Sequence, residues 1–302
     1  MITRRRFIHS SAATLAVGSA GGAEENAALF AVGLIADAQY VDADPGGIRH
    51  YRNSIKKLGS AVKSINEAEV DFSIHLGDLI DRDFASFDAI LEPLNELKSP
   101  VVQIPGNHDF SVPDHKKPEV FGKLGMTKPY HSFSKGGFRF VFLDGTEIST
   151  FAHPRDSDVY KEASEILKEF EAQGRKNAKS WNGTISEVQL VWLKGELASA
   201  KSAHEKVIIS CHYPILPDNS HNLWNDREVL AVIDQFPGTV AAWFNGHNHA
   251  GNYAERNGVH YVTVQGMVDT EDENAFAVLE VSPEMLTIRG SGRVPGRELK
   301  IA

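Results

Sequence analysis

The chain predicts an α/β fold, a single domain of mixed β-sheets, on three observations. Short apolar runs rich in β-branched residues alternate with segments of helical periodicity. Five of those runs stop at polar clusters of Asp, Asn, Gln and His, the place where open α/β sheets put their ligand crevice. Internal repeats, low-complexity tracts and a linker long enough to separate domains are all lacking in the 302 residues.

In chain order, residues 28–36 form an apolar first strand ending in Asp37-Ala38-Gln39. A loop of turn residues, 42–47, leads to an amphipathic helix over 49–68, with Ile55, Leu58, Val62 and Ile65 three and four apart. A second strand, 72–76, ends in Gly77-Asp78. The helix over 87–97 is expected to set Leu91, Leu94 and Leu97 on one face. Residues 100–104 form a central strand that Pro105-Gly106 breaks, and Asn107-His108-Asp109 follows at once. Strand 138–144 and a charged helix over 156–177 come next. Ser186, three residues before Gln189, reads as a capping box opening a helix through Leu190, Leu193 and Leu197. Strand 207–211 ends in His212-Tyr213-Pro214. A helix over 228–236 precedes strand 240–244, which ends in Asn245-Gly246-His247-Asn248-His249. The tail alternates over 259–264, 275–281 and 285–288 and is expected to form antiparallel strands.

Taken singly, each polar cluster has an ordinary explanation. Asp37 or Asp78 suits a helix cap, Gly77-Asp78 a turn, and His212 a satisfied core histidine. Together they place Asp37, Gln39, Asp78, Asn107, His212, His247 and His249 at five strand ends, with His247 and His249 pointing the same way on an extended segment. Mixed oxygen and nitrogen donors without thiolate suit Mn²⁺, Fe or Zn²⁺ better than Ca²⁺. Seven ligands are too many for one ion with an open position and fit two, with Asp78 the natural bridge. The net charge of −9 offers no basic footprint for nucleic acid, and an acidic protein handling phosphates needs cations to offset repulsion. The single cysteine, Cys211, rules out an internal disulfide framework and a multi-cysteine zinc site.

Asp37-x-Gln39, Gly77-Asp78, Gly106-Asn107-His108-Asp109, His212 and Gly246-His247-Asn248-His249 resemble, in order and placement, the motifs of the calcineurin-like metallophosphoesterases. Most of that family has Asp-x-His in the first motif. Gln39 in place of the histidine resembles the manganese-dependent ADP-ribose/CDP-alcohol diphosphatase branch, as do residues 49–54, Trp181-Asn182-Gly183 before Gln189-Leu190-x-Trp192-Leu193, and residues 290–295. The resemblance implies a four-layer α/β/β/α sandwich with two divalent ions at its crest, Mn²⁺ foremost. Asp37, Gln39, Asp78 and His249 would hold the first ion, and Asp78, Asn107, His212 and His247 the second. His108 would be the histidine off the metals, stabilising the transition state or protonating the leaving oxygen, with Asp109 orienting it. The implied reaction is hydrolysis of the pyrophosphate of a small nucleotide, giving a nucleoside monophosphate and a phosphorylated remainder. A phosphodiesterase or phosphomonoesterase with the same metals is the alternative, and a non-catalytic exported binding protein a more distant one. Tyr213, Phe110 and Trp224 lie in or beside the motif loops as candidates to stack a base, and Arg49 as a candidate phosphate contact.

Residues 1–23 read as a removable leader. Thr3-Arg4-Arg5-Arg6-Phe7-Ile8 precedes an apolar run too short to span a bilayer and resembles a bacterial twin-arginine signal. This implies passage through the twin-arginine machinery to the periplasm, a mature domain over 24–302, and no membrane anchor after processing.

Overall fold

The computed structural model describes residues 28–301; the leader expected over residues 1–23 lies outside the described residues. Among those described, no helix is long and apolar enough to cross a membrane.

Two six-stranded sheets stack face to face. The first is ordered β12-β11-β10-β1-β2-β3, with β1 Phe30–Ile35, β2 Phe72–His75, β3 Val101–Gln103, β10 Ala275–Val281, β11 Met285–Gly292 and β12 Arg297–Lys300. The second is ordered β4-β5-β6-β7-β9-β8, with β4 His131–Lys135, β5 Phe138–Phe142, β6 Lys206–Ser210, β7 Val240–Asn245, β8 Asn252–Arg256 and β9 Val259–Thr263. β1, β2 and β3 run parallel, as do β5, β6, β7 and β9, so their C-terminal ends share one rim.

Alternation along each strand sorts side chains between two interiors. Phe30, Val32, Leu34, Phe72 and Ile74 face Phe140, Phe142, Ile208 and Phe244 between the sheets. Phe72 meets Phe140 edge-on at 5.0 Å, a geometry worth roughly 0.5–1.5 kcal/mol beyond area burial. Outside the first sheet, Leu58, Ala61, Val62 and Ile65 of α1 (Asn53–Glu67) and Phe87, Ile90 and Leu94 of α2 (Ser86–Leu94) pack on Ile35. Outside the second, Leu193, Leu197 and Ala200 of α5 (Glu187–Ser202) and Val229 and Ile233 of α6 (Asp226–Ile233) pack on Val207, Ile209 and Trp243. The short α3 (Val120–Lys123) and the charged α4 (Asp158–Ala172) complete the α-helices among the described residues. The layers are α/β/β/α.

Three expectations change. The buried face of α2 is Phe87, Ile90 and Leu94, while Leu91 packs only partly and Leu97 lies beyond the end of the helix at Leu94. The tail is not one antiparallel run. β9 adds to the second sheet parallel to β7, and the chain then crosses to the first sheet for the β10-β11-β12 meander. The capping box at Ser186 is half made: Ser186 Oγ accepts from the Gln189 amide at 3.1 Å. The Ser186 N–H goes instead to Glu147, leaving the buried Gln189 side chain to tie down Asp144.

Candidate metal centre

The loops after β1, β2, β3, β6 and β7 converge on the shared rim and bring Asp37, Gln39, Asp78, Asn107, His212, His247 and His249 together. Asp37, Gln39, Asp78 and His212 are fully buried, and Asn107 and His247 are 7% exposed. The turns that aim them are strained: Asp37, Gln39, Asp78 and His247 all have positive φ, at 51°, 42°, 58° and 67°. Non-glycine residues there cost on the order of 1–3 kcal/mol each, which the surrounding packing must sustain. Close approach also dictates two glycines. A Cβ on Gly106 would lie 2.2 Å from Asp78 Oδ1, and one on Gly77 would lie 2.3 Å from His212 Nδ1.

Hydrogen bonds settle which nitrogen each imidazole presents. His212 Nδ1 donates to the Leu76 carbonyl at 2.8 Å, leaving Nε2 at 3.3 Å from Asp78 Oδ2. His247 Nε2 donates to Asn182 Oδ1 at 2.8 Å, and the Asn182 amide group is itself fixed by donating to Asn177 O and Ser220 O. His247 therefore presents Nδ1. His249 Nδ1 donates to Asp269 Oδ1 at 2.9 Å and presents Nε2, 3.5 Å from Asp37 Oδ1. Ligand atoms of Asp78, His212 and His247 all lie within 4.8 Å of one another.

This donor set fits metal ions. Three of its buried atoms, Gln39 Oε1, Asn107 Oδ1 and His212 Nε2, have no hydrogen-bond partner. Buried polar atoms without partners are costly and rare. The Gln39 side-chain nitrogen lies 3.0 Å from both Asp78 Oδ2 and His249 Nε2. Turning the amide over would direct its oxygen at the same two atoms, an arrangement that a cation between them would hold.

The electrostatics follow from the crowding. Burial pushes the Asp78 carboxyl up, but His212 and His108 outweigh it and hold it well below the usual carboxylate range. Burial opposes charge on His212 and His249, yet Asp78 and Asp37 respectively prevail and raise both to about 9. His247 goes the other way, well below the ordinary histidine value, through burial and then the neighbouring His212.

His108 stands beside the ligands with a different tether. Its backbone N–H donates to Asp78 Oδ1 at 2.7 Å, and its Nδ1 is 3.1 Å from the Asp81 carboxylate. Burial lowers its pKa, but Asp78 and Asp81 more than compensate, and the ring holds its proton above the ordinary histidine range. Asp81, not Asp109, orients this ring. Asp109 turns inward on the 3₁₀ turn His108–Phe110 and accepts backbone N–H groups from Gly106, Asp78, Leu79 and Ile80, clasping two ligand loops together.

A cavity of about 310 Å³ opens over the ligands, lined by Gln39, Arg49, Asp78, Asn107, His108, Trp181, His221, His247 and His249. Arg49 is on its wall, with Nη1 3.9 Å from Asp81. The three rings expected to stack a base are not on it. Tyr213 and Trp224 are fully buried and Phe110 is 2% exposed. Tyr213 packs edge-on against His212 and His247, and Trp224 donates its indole N–H to Lys179 O, so neither ring has a free face. The wall offers Trp181 instead, 44% exposed, and the half-buried His221. The signal for Trp181 was its place in an Asn-Gly turn, where a large aromatic has little to pack against; His221 gave none.

Comparison with known proteins agrees with this geometry. The model of the calcineurin-like phosphoesterase family matches residues 30–251. A human protein named manganese-dependent ADP-ribose/CDP-alcohol diphosphatase is 32% identical over 89% of this chain and 92% of its own length. A rice (Oryza sativa subsp. japonica) protein of the same name is 30% identical over 90% and 94%. A crystal structure of a dimetal phosphatase from Danio rerio superposes with a TM-score of 0.83 at 26% identity, covering 91% of this chain and all of that one. The chain belongs to the calcineurin-like phosphoesterase family and is a hydrolase.

Proposed function

We propose that this hydrolase cleaves the pyrophosphate of nucleoside diphosphate-X substrates, ADP-ribose and CDP-alcohols, with two manganese ions bound at the crest. The observation that carries the substrate class is similarity along nearly the whole chain, and not only the motifs, to diphosphatases of that name. Gln39 supports the metal: an amide oxygen is a harder donor than imidazole and favours Mn²⁺ over Zn²⁺. Asp37, Gln39, Asp78 and His249 would hold the first ion; Asp78, Asn107, His212 and His247 the second. When bound, the ions supply an activated water and neutralise charge on the phosphoryl oxygens.

The chain's own groups do the rest. His108, tethered through Nδ1 to Asp81, keeps Nε2 for a proton to the departing phosphate oxygen. Arg49 sets a guanidinium beside the cavity to meet phosphate. The exposed face of Trp181 takes the flat base by stacking. The reading of residues 1–23 as a twin-arginine leader belongs to the same proposal and makes the substrates periplasmic nucleotides; cell fractionation with N-terminal sequencing of the mature protein tests it.

The catalytic test is hydrolysis by metal-stripped protein resupplied with Mn²⁺, Mg²⁺ or Zn²⁺. ADP-ribose, CDP-choline, an aryl phosphodiester and an aryl phosphomonoester are run in parallel. Mn²⁺-dependent cleavage of the first two, far above the aryl esters, is expected. Preference for either aryl ester would overturn the substrate and leave the metal centre standing.

A further inference from the structure

The three imidazoles of the crest are each anchored at the nitrogen they turn away from the metals, but the anchors differ in kind. His212 is held by a backbone carbonyl and His247 by the neutral amide of Asn182. Only His249 is backed by a carboxylate, Asp269, at 2.9 Å. Asp269 is 2% exposed, and its second oxygen lies 3.4 Å from Arg293 Nη1. The same guanidinium donates to Gly266 O at 2.9 Å and to His249 O at 3.1 Å, joining the loop that carries the ligand to the segment after β9 that carries Asp269. Lys57 Nζ donates to the Asp269 carbonyl at 2.9 Å and pins the backbone behind it. Asp269 and Arg293 follow β9 and β11, beyond residue 251 where the family match ends.

The difference falls at the first ion, where two carboxylates and an amide leave room for a single imidazole, whereas the second ion has two. Among the first ion's four ligands, Gln39 contributes a neutral amide oxygen, so His249 is the only imidazole. A carboxylate hydrogen-bonded to the far nitrogen makes an imidazole a stronger donor and fixes its ring. We propose that Asp269, locked by Arg293, is the positioning residue that holds His249 for the first ion and offsets the weak donor at Gln39. The proposal rests on the two-ion reading above. The competing account is that Asp269 and Arg293 merely staple the β10-β11-β12 meander to the crest.

Full-length protein stripped of metal is titrated with Mn²⁺ alone, the free ion being followed by electron paramagnetic resonance. Wild type is expected to take up two equivalents. Asp269→Asn, which keeps the shape and the acceptor but not the charge, is expected to weaken one equivalent by about 10–100-fold and leave the other unchanged, and Asp269→Glu to recover most of the loss. Thermal melting in chelator separates the two accounts: a lowered melting temperature with both equivalents at wild-type affinity makes Asp269 a staple and overturns the proposal. Fewer than two equivalents in wild type removes the two-ion reading and the proposal with it. A second readout does not depend on the variant folding. In Zn²⁺-loaded wild type, ¹⁵N-histidine spectra should show His249 ligating through Nε2 with a slowly exchanging Nδ1 proton. Ligation through Nδ1 would overturn the proposal.

Discussion

The floor of the cavity and its wall are built on opposite terms. On the floor, buried ligands sit in strained turns, and each histidine is tied at its second nitrogen. On the wall, Trp181 is 44% exposed, Arg49 reaches one carboxylate at 3.9 Å, and His221 stands half-buried. A rigid floor suits chemistry that needs reacting groups fixed to fractions of an ångström, whereas a loosely packed wall can change with the substrate. Reaction and substrate choice should therefore separate under mutation.

Four variants test that separation. The largest effect is expected for Asp78→Asn, since Asp78 faces both ligand groups: kcat should fall at least ~10³-fold on every substrate, with Mn²⁺ uptake reduced in the same titration. His108→Gln should lower kcat about 10²-fold or more while both Mn²⁺ equivalents still bind, because the ring is tethered to Asp81 and not to the ligands. A loss of metal in that variant would blur the line between ligand and proton donor. Trp181→Ala belongs to the wall and should raise KM for ADP-ribose and CDP-choline about tenfold, the worth of one stacked base, with an aryl monoester unaffected. Equal losses on both substrate types would move Trp181 to the floor. His221→Asn should have the smallest effect, a few-fold shift in the ratio of kcat/KM for ADP-ribose to that for CDP-choline, with melting temperature unchanged.

The same division decides what the sequence reveals. Each ligand cluster is local: an apolar strand ends and polar donors follow within a few residues, with a break at Gly77, Pro105-Gly106 and Gly246 in three of the five. The wall is not local. Whether Trp181, Trp224 or Tyr213 keeps a free ring face depends on helices and loops packed from distant regions of the chain. Trp224, for example, is covered by α4 side chains and the turn at Lys179. Asp109 is adjacent to His108 in sequence, but a 3₁₀ turn sends the two side chains apart and gives the ring to Asp81, 27 residues earlier. β4, β8 and β12 escape notice because they are edge strands with mixed burial and no clear alternation.

A crystal structure of the Mn²⁺-loaded protein with AMP, recorded at a wavelength where manganese scatters anomalously, tests the floor and wall together. Two anomalous peaks flanking Asp78, with the adenine on Trp181, are the predicted result. A single peak, or a base seated away from Trp181, would contradict the account.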